Sequence, residues 1–241
     1  QIRPGPKRRN GLAGRPRRGP GVCGLPYRVS LPPPMLYAID LEGVLAPEIW
    51  PILGAHFELP ELHLTTRDFA DFEELMHRRV DALRSRGLTL RQLQVVAHGV
   101  HPFLGAREFL SRLRSMGQVL IISDTFHEFS EPLVQELGGH SLFANHFELD
   151  GDGTISGFKL RIRGQKERIV SGLKSAGFMV AAMGDSLNDL SLLRSSDHRV
   201  LYRPVEALRA AFPDAPLATN LDQALVHMEW AARAEAARAG Q

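Results

Sequence analysis

Met35-Leu36-Tyr37-Ala38-Ile39-Asp40-Leu41-Glu42-Gly43-Val44 reads as an apolar strand that ends in two acids one residue apart and then a glycine turn. A second acidic cluster, Gly184-Asp185-Ser186-Leu187-Asn188-Asp189, closes another apolar run, Phe178 to Met183, far along the chain. In an open parallel sheet the C-terminal ends of the strands face a common crevice, so acids distant in sequence can meet there around a hard divalent ion. Between the two clusters stand Ser123 and Thr125, after the apolar run Val119 to Ile122, and Lys166 at the start of a helical pattern. Carboxylates, hydroxyls and a lysine in these places are the groups that phosphoryl transfer requires.

The pattern around these segments predicts an α/β domain with a mainly parallel sheet. Helices are expected over Ala106 to Met116, Glu128 to Leu137, Gln165 to Ser175 and Leu190 to Ser195, and strands over Val119 to Ile122, Met179 to Met183 and Val200 to Tyr202. Phe143 to Leu149 and Ile155 to Leu160 flank Asp150-Gly151-Asp152-Gly153, which reads as a hairpin turn; the spacing lacks the later acids of a calcium loop. Residues from about Glu48 to Gly99 show no strand pattern. Their clearest helix is Asp71 to Arg86, with Phe72, Leu75, Met76, Arg79 and Leu83 near one face and Gly87 as its stop, followed by a short helix capped by Thr89. The expected division is a core of 35–48 and 100–228, a helical cap of 49–99 and a helical C-terminal tail of 229–241.

Composition narrows the class. A chain of 241 residues with 44% hydrophobic content can bury a sizeable core. No apolar run approaches the roughly 20 residues that span a bilayer, and no basic-then-apolar signal layout is present, so neither membrane insertion nor export is expected. Cys23 stands alone, which excludes an intramolecular disulfide and a thiolate metal site and fits a reducing, cytoplasmic compartment. Residues 1–34 carry eight basic residues and no acid, which leaves 21 basic against 27 acidic residues and about −6 for the remainder. A nucleic-acid partner is therefore not indicated for the folded part. The Pro/Gly/Arg-rich leader reads as disordered: an upstream extension, or a basic arm for an anionic surface, with Met35 a natural start for the folded protein.

Hydrolysis of a phosphate ester needs a nucleophile, an acid for the leaving oxygen and positive charge around the transferring group. Asp40 is the candidate nucleophile, through an aspartyl phosphate that water then attacks. Glu42 is the candidate general acid and then base, with its backbone carbonyl turned to the ion. Asp185 would complete a magnesium site with Asp40 and Glu42. Asp189 would hold Lys166 or a metal-bound water, and Ser186 or Asn188 would line the pocket. Ser123, with Thr125 beside it, offers a hydroxyl and backbone N–H groups to phosphate, and Lys166 neutralises Asp40 and the phosphate. Gly43 and Gly184 support the two acidic turns. Each piece alone has an ordinary explanation: a solvated loop for Asp-x-Glu, a helix cap for Ser-Asp-Thr, a surface position for the lysine. Their ordered combination points to a site. His98 and His101 have no third ligand at a useful spacing and read as loop and surface, and Trp50 and Phe72 read chiefly as core.

Asp40-Leu41-Glu42-Gly43-Val44, Ser123-Asp124-Thr125, Lys166 and Gly184-Asp185-Ser186-Leu187-Asn188-Asp189 resemble the four motifs of haloacid dehalogenase superfamily phosphatases. The chain from about Met35 to about Leu225 is most similar to their phosphoserine phosphatases, in particular the bifunctional phosphoserine phosphatase and homoserine phosphotransferase branch. Asp40 to Leu45 with Pro47-Glu48-Ile49-Trp50, and Ser123 to Phe126 with Glu128-Phe129-Ser130, are the most specific stretches. The resemblance implies a Rossmann-like core with a small helical cap inserted after the first strand, Mg2+ as cofactor and phosphoserine as a small-molecule substrate. It assigns Asp40 as nucleophile, Glu42 as acid/base, Ser123 as phosphate-binding hydroxyl, Lys166 as the third-motif lysine and Asp185 as metal ligand beside Asp189. Glu48 and Arg79 match the cap residues that hold the amino and carboxylate groups. Most of the superfamily's phosphatases carry aspartate at the place of Glu42; the bifunctional branch carries glutamate.

Overall fold

The computed structural model describes residues 34–65, 68–69, 71–161 and 165–239. The expected leader, Cys23 included, lies outside the described residues except for Pro34. Strand β1 (Met35–Ile39) is buried along its whole length. Its odd residues, Met35, Tyr37 and Ile39, enter the core on one face of the sheet, and Leu36 and Ala38 enter the core on the other. A strand covered on both faces reads as an unbroken apolar run, which is what the sequence displays.

Between β1 and residue 118 the elements among the described residues are helical: α1 (Ile49–Phe57), a 3-10 turn at Pro60–His63, α2 (Phe72–Ser85), α3 (Leu90–Ala97) and α4 (Ala106–Arg114). Then come β2 (Gln118–Phe126), α5 (His127–Glu136), β3 (Ser141–Leu149), β4 (Ile155–Lys159), α6 (Lys166–Ser175) and β5 (Met179–Gly184). A 3-10 turn at Leu187–Asp189 leads into α7 (Leu190–Ser195), β6 (His198–Tyr202), α8 (Glu206–Ala211), β7 (Leu217–Ala218) and α9 (Leu221–Ala239). Among the described residues the sheet order is β4-β3-β2-β1-β5-β6-β7, and only β4 runs antiparallel to its neighbour. The expected α/β fold with a mainly parallel sheet is therefore observed. Because β2 and β5 flank β1 on opposite sides, the strand order turns back at β1, and the crevice beyond its C-terminal end is where such sheets bind ligands.

Four elements depart from the sequence pattern. Strand β2 runs on past Ile122 to Phe126: Ile122 pairs with Phe143 but Phe126 pairs with Asn145, so Ser123, Asp124 and Thr125 bulge out opposite the single residue Ala144. The C-terminal helix begins at Leu221, not Glu229, and stays on the core through Ala224, Met228 and Ala231. Helix α8 and the two-residue strand β7 have too little periodicity to be seen in sequence. The Asp150–Gly153 turn connects β3 to β4 as expected, with Gly153 at φ 84° and the Asp152 carboxylate accepting from Thr154 N. His98 and His101 lie exposed, as expected. No helix among the described residues is long and apolar enough to cross a membrane.

The helical segment after β1 is fastened to the sheet by aromatic packing. Trp50 on α1 meets Phe126, Phe129 and Phe147 edge-on, at centroid separations of 5.7, 5.6 and 6.2 Å, and Phe126 stacks on Phe147 at 4.0 Å. Backbone bonds add to this, from Leu90 N to Gly153 O and from Ile155 N to Leu88 O. Phe129 is fully buried in this cluster. Phe129→Ala is expected to lower the free energy of unfolding by about 3–5 kcal/mol in urea titrations, because the surrounding rings cannot collapse into the void.

Candidate active site

Lys166 opens helix α6 and is 1% exposed. A cation at a helix N-terminus opposes the helix dipole, and a buried one also loses its hydration, so this lysine needs strong counter-charge. Three carboxylates supply it. Nζ donates to Asp40 Oδ1 at 2.9 Å and to Asp189 Oδ1 at 2.8 Å, and lies 3.3 Å from Asp124 Oδ2. Burial alone would lower the lysine's pKa, yet Asp189, Asp40 and Asp124 together hold it well above its ordinary value. Asp40 follows β1, Asp124 lies in the β2 bulge and Asp189 follows β5, so the lysine gathers the C-terminal ends of three adjacent strands.

Asp185 adds a fourth carboxylate. One oxygen from each of Asp40, Asp185 and Asp189 falls within a group spanning no more than 4.8 Å. Both Asp189 oxygens are already engaged, Oδ1 by Lys166 and Oδ2 by the N–H groups of Asp185 and Ser186. Burial, reinforced by Asp189, pushes Asp40 well above the usual carboxylate range and Asp185 up to about 7. Crowded acids of this kind favour either protons or a cation. The two glycines make the crowding possible. A Cβ on Gly43, at φ +80°, would stand 2.3 Å from Asp185 Oδ2, and one on Gly184 would stand 2.4 Å from the Asp189 carboxyl carbon.

Glu42 faces the other side. Its Oε1 accepts from Ile49 N at 2.8 Å, so the carboxylate caps the first turn of α1. It is not part of the cation-sized carboxylate group; its backbone carbonyl is the atom the sequence reading turns to the ion. Burial, then the charge of Glu48, pushes Glu42 up to about 8. Arg79 opposes this. It is buried on α2, donates to Leu64 O at 2.6 Å, and lays its guanidinium over the Trp50 ring at 4.7 Å. Desolvation lowers its pKa to about 10, held there by Glu42 and Glu48. Glu48 stands at the N-cap position of α1 without a side-chain capping bond and is exposed; desolvation raises its pKa, and the charge of Arg79 opposes the shift. Trp50 thus does two things, packing the core as expected and stacking under the arginine.

Ser123 and Thr125 are buried in the bulge at 2% and 1% exposure. The Thr125 hydroxyl makes no well-formed hydrogen bond but lies near enough to Glu42 to favour its charged form. Asn188 sits half-buried on the 3-10 turn, with no side-chain hydrogen bond among the described residues. Phe72 packs partly buried against the core. The sequence reading assigned no role to Asp124. Its position inside Ser123-Asp124-Thr125 was the available signal, and the bulge is what turns its carboxylate toward Lys166.

The buried lysine, held by carboxylates from three strand ends, lies in the crevice where an open parallel sheet binds its ligand. Over residues 45–194 the chain matches the family model of haloacid dehalogenase-like hydrolases, and it belongs to that family. It is 39% identical over 178 residues to phosphoserine phosphatase ThrH of Pseudomonas aeruginosa, across 74% of this chain and 87% of that protein. It is 36% identical over 185 residues to a phosphoserine phosphatase of Pseudomonas syringae pv. tomato, across 77% of this chain and 78% of that one. Among solved structures, a substrate-bound phosphoserine phosphatase complex shares the fold with a TM-score of 0.70 at 20% identity, covering 80% of this chain and 97% of the other. The phosphoserine phosphatase from T. onnurineus in complex with NDSB-201 gives 0.65 at 23% identity, covering 86% and 98%.

Lys166→Met would leave Asp40, Asp124 and Asp189 buried without counter-charge. The expected loss is about 3–5 kcal/mol of unfolding free energy at neutral pH, measured in urea. Asp40 and Asp124 have folded pKa values raised above the ordinary 3.8. Their protonated forms suit the folded state, so the stability they contribute is complete below about pH 4 and is lost as pH rises through the folded values. The variant's deficit should accordingly shrink as the pH is lowered.

Proposed function

We propose that this protein is a magnesium-dependent phosphoserine phosphatase that works through an aspartyl phosphate on Asp40. The observation that carries the reading is the Lys166 cluster: it holds Asp40 by one oxygen, at the mouth of the sheet crevice, with Ser123 and Asp185 on the flanking strands. The identity to two proteins named phosphoserine phosphatase gives the substrate class.

The steps follow from what each group can give. An Asp40 carboxylate oxygen attacks phosphorus while the serine oxygen departs, and Glu42 supplies the proton that oxygen needs. Water then attacks the aspartyl phosphate, giving its proton to Glu42 and releasing phosphate and the free Asp40. Lys166 and the Ser123 hydroxyl offset the charge on the phosphoryl oxygens. The donor set suits a hard cation, being all oxygen and crowded with negative charge: Asp40, Asp185 and the Glu42 carbonyl would hold Mg2+, since Lys166 and backbone N–H groups already occupy Asp189. Bound there, the ion would supply charge neutralisation for the nucleophile and phosphate together.

Specificity belongs to the wall formed by Glu48 and Arg79. A zwitterionic amino acid needs an anion for its ammonium group and a planar cationic fork for its carboxylate. The helices of 49–99 act as the cap that covers the substrate and excludes water. A chain with a single cysteine fits work in the reducing cytoplasm. Transfer to homoserine would use the same intermediate, with the acceptor hydroxyl in place of water.

Phosphorus NMR tests the reading directly. Purified protein with O-phospho-L-serine and Mg2+ should release inorganic phosphate, and Asp40→Asn or removal of the ion by EDTA should stop it. A phosphohomoserine signal on adding homoserine would establish transfer. No turnover of phosphoserine, alongside turnover of other small phosphoesters, would replace the substrate assignment; no turnover of any would favour a silent binding protein. Arg79→Ala should raise KM for phosphoserine by about tenfold to a hundredfold while leaving KM for p-nitrophenyl phosphate nearly unchanged. Equal losses on both substrates would remove Arg79 from the amino-acid pocket.

A further inference from the structure

We propose that Asn145 is a positioning residue for the phosphoryl-transfer site, fixing the Ser123-Asp124-Thr125 bulge, and with it the Asp124 carboxylate beside Lys166, through its side-chain amide. The inference builds on the reading of Ser123 and Lys166 as phosphate-site residues. Asn145 lies on β3 and is 0% exposed. Its Nδ2 donates to Asp124 O at 2.9 Å, and its Oδ1 accepts from Arg161 N at 2.9 Å. The orientation of the amide is forced by these partners, since the reverse would set donor against donor and acceptor against acceptor.

The need for this residue arises from the bulge. Where β2 spends three residues against one on β3, the ladder is broken, and the Asp124 carbonyl needs another partner. Asn145 is the β3 residue at which pairing resumes, opposite Phe126. Its side chain therefore replaces the missing ladder bond. The other end of the amide reaches Arg161, beyond the end of β4 and five residues before Lys166. One amide thus ties the bulge that carries Ser123 and Asp124, whose carboxylate lies 3.3 Å from Lys166 Nζ, to the backbone of Arg161 after β4. Neither bond involves substrate, so the effect on chemistry is indirect: the Ser123 hydroxyl and the Asp124 carboxylate keep their geometry only while the bulge is held. A displacement of about 1 Å at such a site costs on the order of a hundredfold in rate.

Asn145→Ala removes the bonds to Asp124 O and Arg161 N, and Asn145→Asp keeps the side-chain volume and the acceptor but loses the donor. Both should lower kcat by about tenfold to a hundredfold, to the same extent on phosphoserine and on p-nitrophenyl phosphate, because the phosphoryl end is common to both. Leu208→Ala is the control. Leu208 is fully buried in the core on the other face of the sheet, so this variant should lose thermal stability yet keep kcat within about twofold at temperatures where it remains folded. If the Asn145 variants lose no more kcat than Leu208→Ala, the role is overturned. Turnover of p-nitrophenyl phosphate without phosphoserine by the parent chain would overturn the substrate reading and leave this comparison intact. Amide exchange on the parent chain is independent of activity and of how any variant folds. Arg161 N–H lies outside any strand, yet should exchange as slowly as the amides of β1; rapid exchange would overturn the proposal.

Discussion

Lys166 enclosed by Asp40, Asp124 and Asp189 is the interaction on which the site depends. A single ammonium group, buried at a helix N-terminus, is stable only because three strand ends deliver carboxylates to it. That demand constrains the topology. Asp40 and Asp189 follow β1 and β5 and Asp124 lies in the bulge near the end of β2; the three strands are neighbours in the sheet, so their C-terminal ends lie side by side. The lysine comes from α6, which directly precedes β5. Any register slip of β1 against β2 or β5 would withdraw one carboxylate and leave the rest with an unbalanced charge. The positive charge is still one against four once Asp185 is included. The site is incomplete as an electrostatic object without further positive charge, which is why a divalent cation belongs to the proposed mechanism.

Much of this was legible in sequence because strand-end chemistry sits next to its strand. Asp40 and Asp185 each follow an unbroken apolar run that only a doubly covered strand requires, and the Asp150–Gly153 turn names its own hairpin. Lys166 was legible only as the start of a helical pattern, and its counter-ions had to be inferred. Asp124 was legible only as the middle of Ser123-Asp124-Thr125, and Asn145 not at all. Their roles come from a bulge, and a bulge is a property of two paired strands, not of either one alone. The run Val119 to Ile122 gave no sign that its strand continued through three polar-containing positions to Phe126. Likewise, the start of α9 at Leu221 depends on the core surface that receives Ala224 and Met228, which no local pattern announces.

The proposed substrate side is held together differently, through stacking instead of ion pairing. Trp50 joins the aromatic cluster of β2, α5 and β3 by its edges while offering its face to Arg79. The guanidinium is therefore referenced to the same strand that carries the Ser123 bulge, even though it resides on α2. A flexible cation could bind a carboxylate, but one fixed over a core tryptophan can also define where that carboxylate lies relative to the phosphoryl end.

Glu42 ties the two sides together, and its length is the reason. The turn at Gly43 places residue 42 beside Asp40, while Ile49 N, the first helical donor of α1, lies seven residues on. The extra methylene of glutamate over aspartate lets one carboxylate lean away from the carboxylate cluster and cap this helix. Once Oε1 accepts from Ile49 N, a proton carried by the group resides on the other oxygen, since an oxygen that accepts a backbone N–H is the poorer place for it. The same bond couples the proposed acid to the helix that carries Trp50. Substrate contacts that shift α1 would thus reach the proton donor through a single hydrogen bond, without passing through the metal site or the lysine.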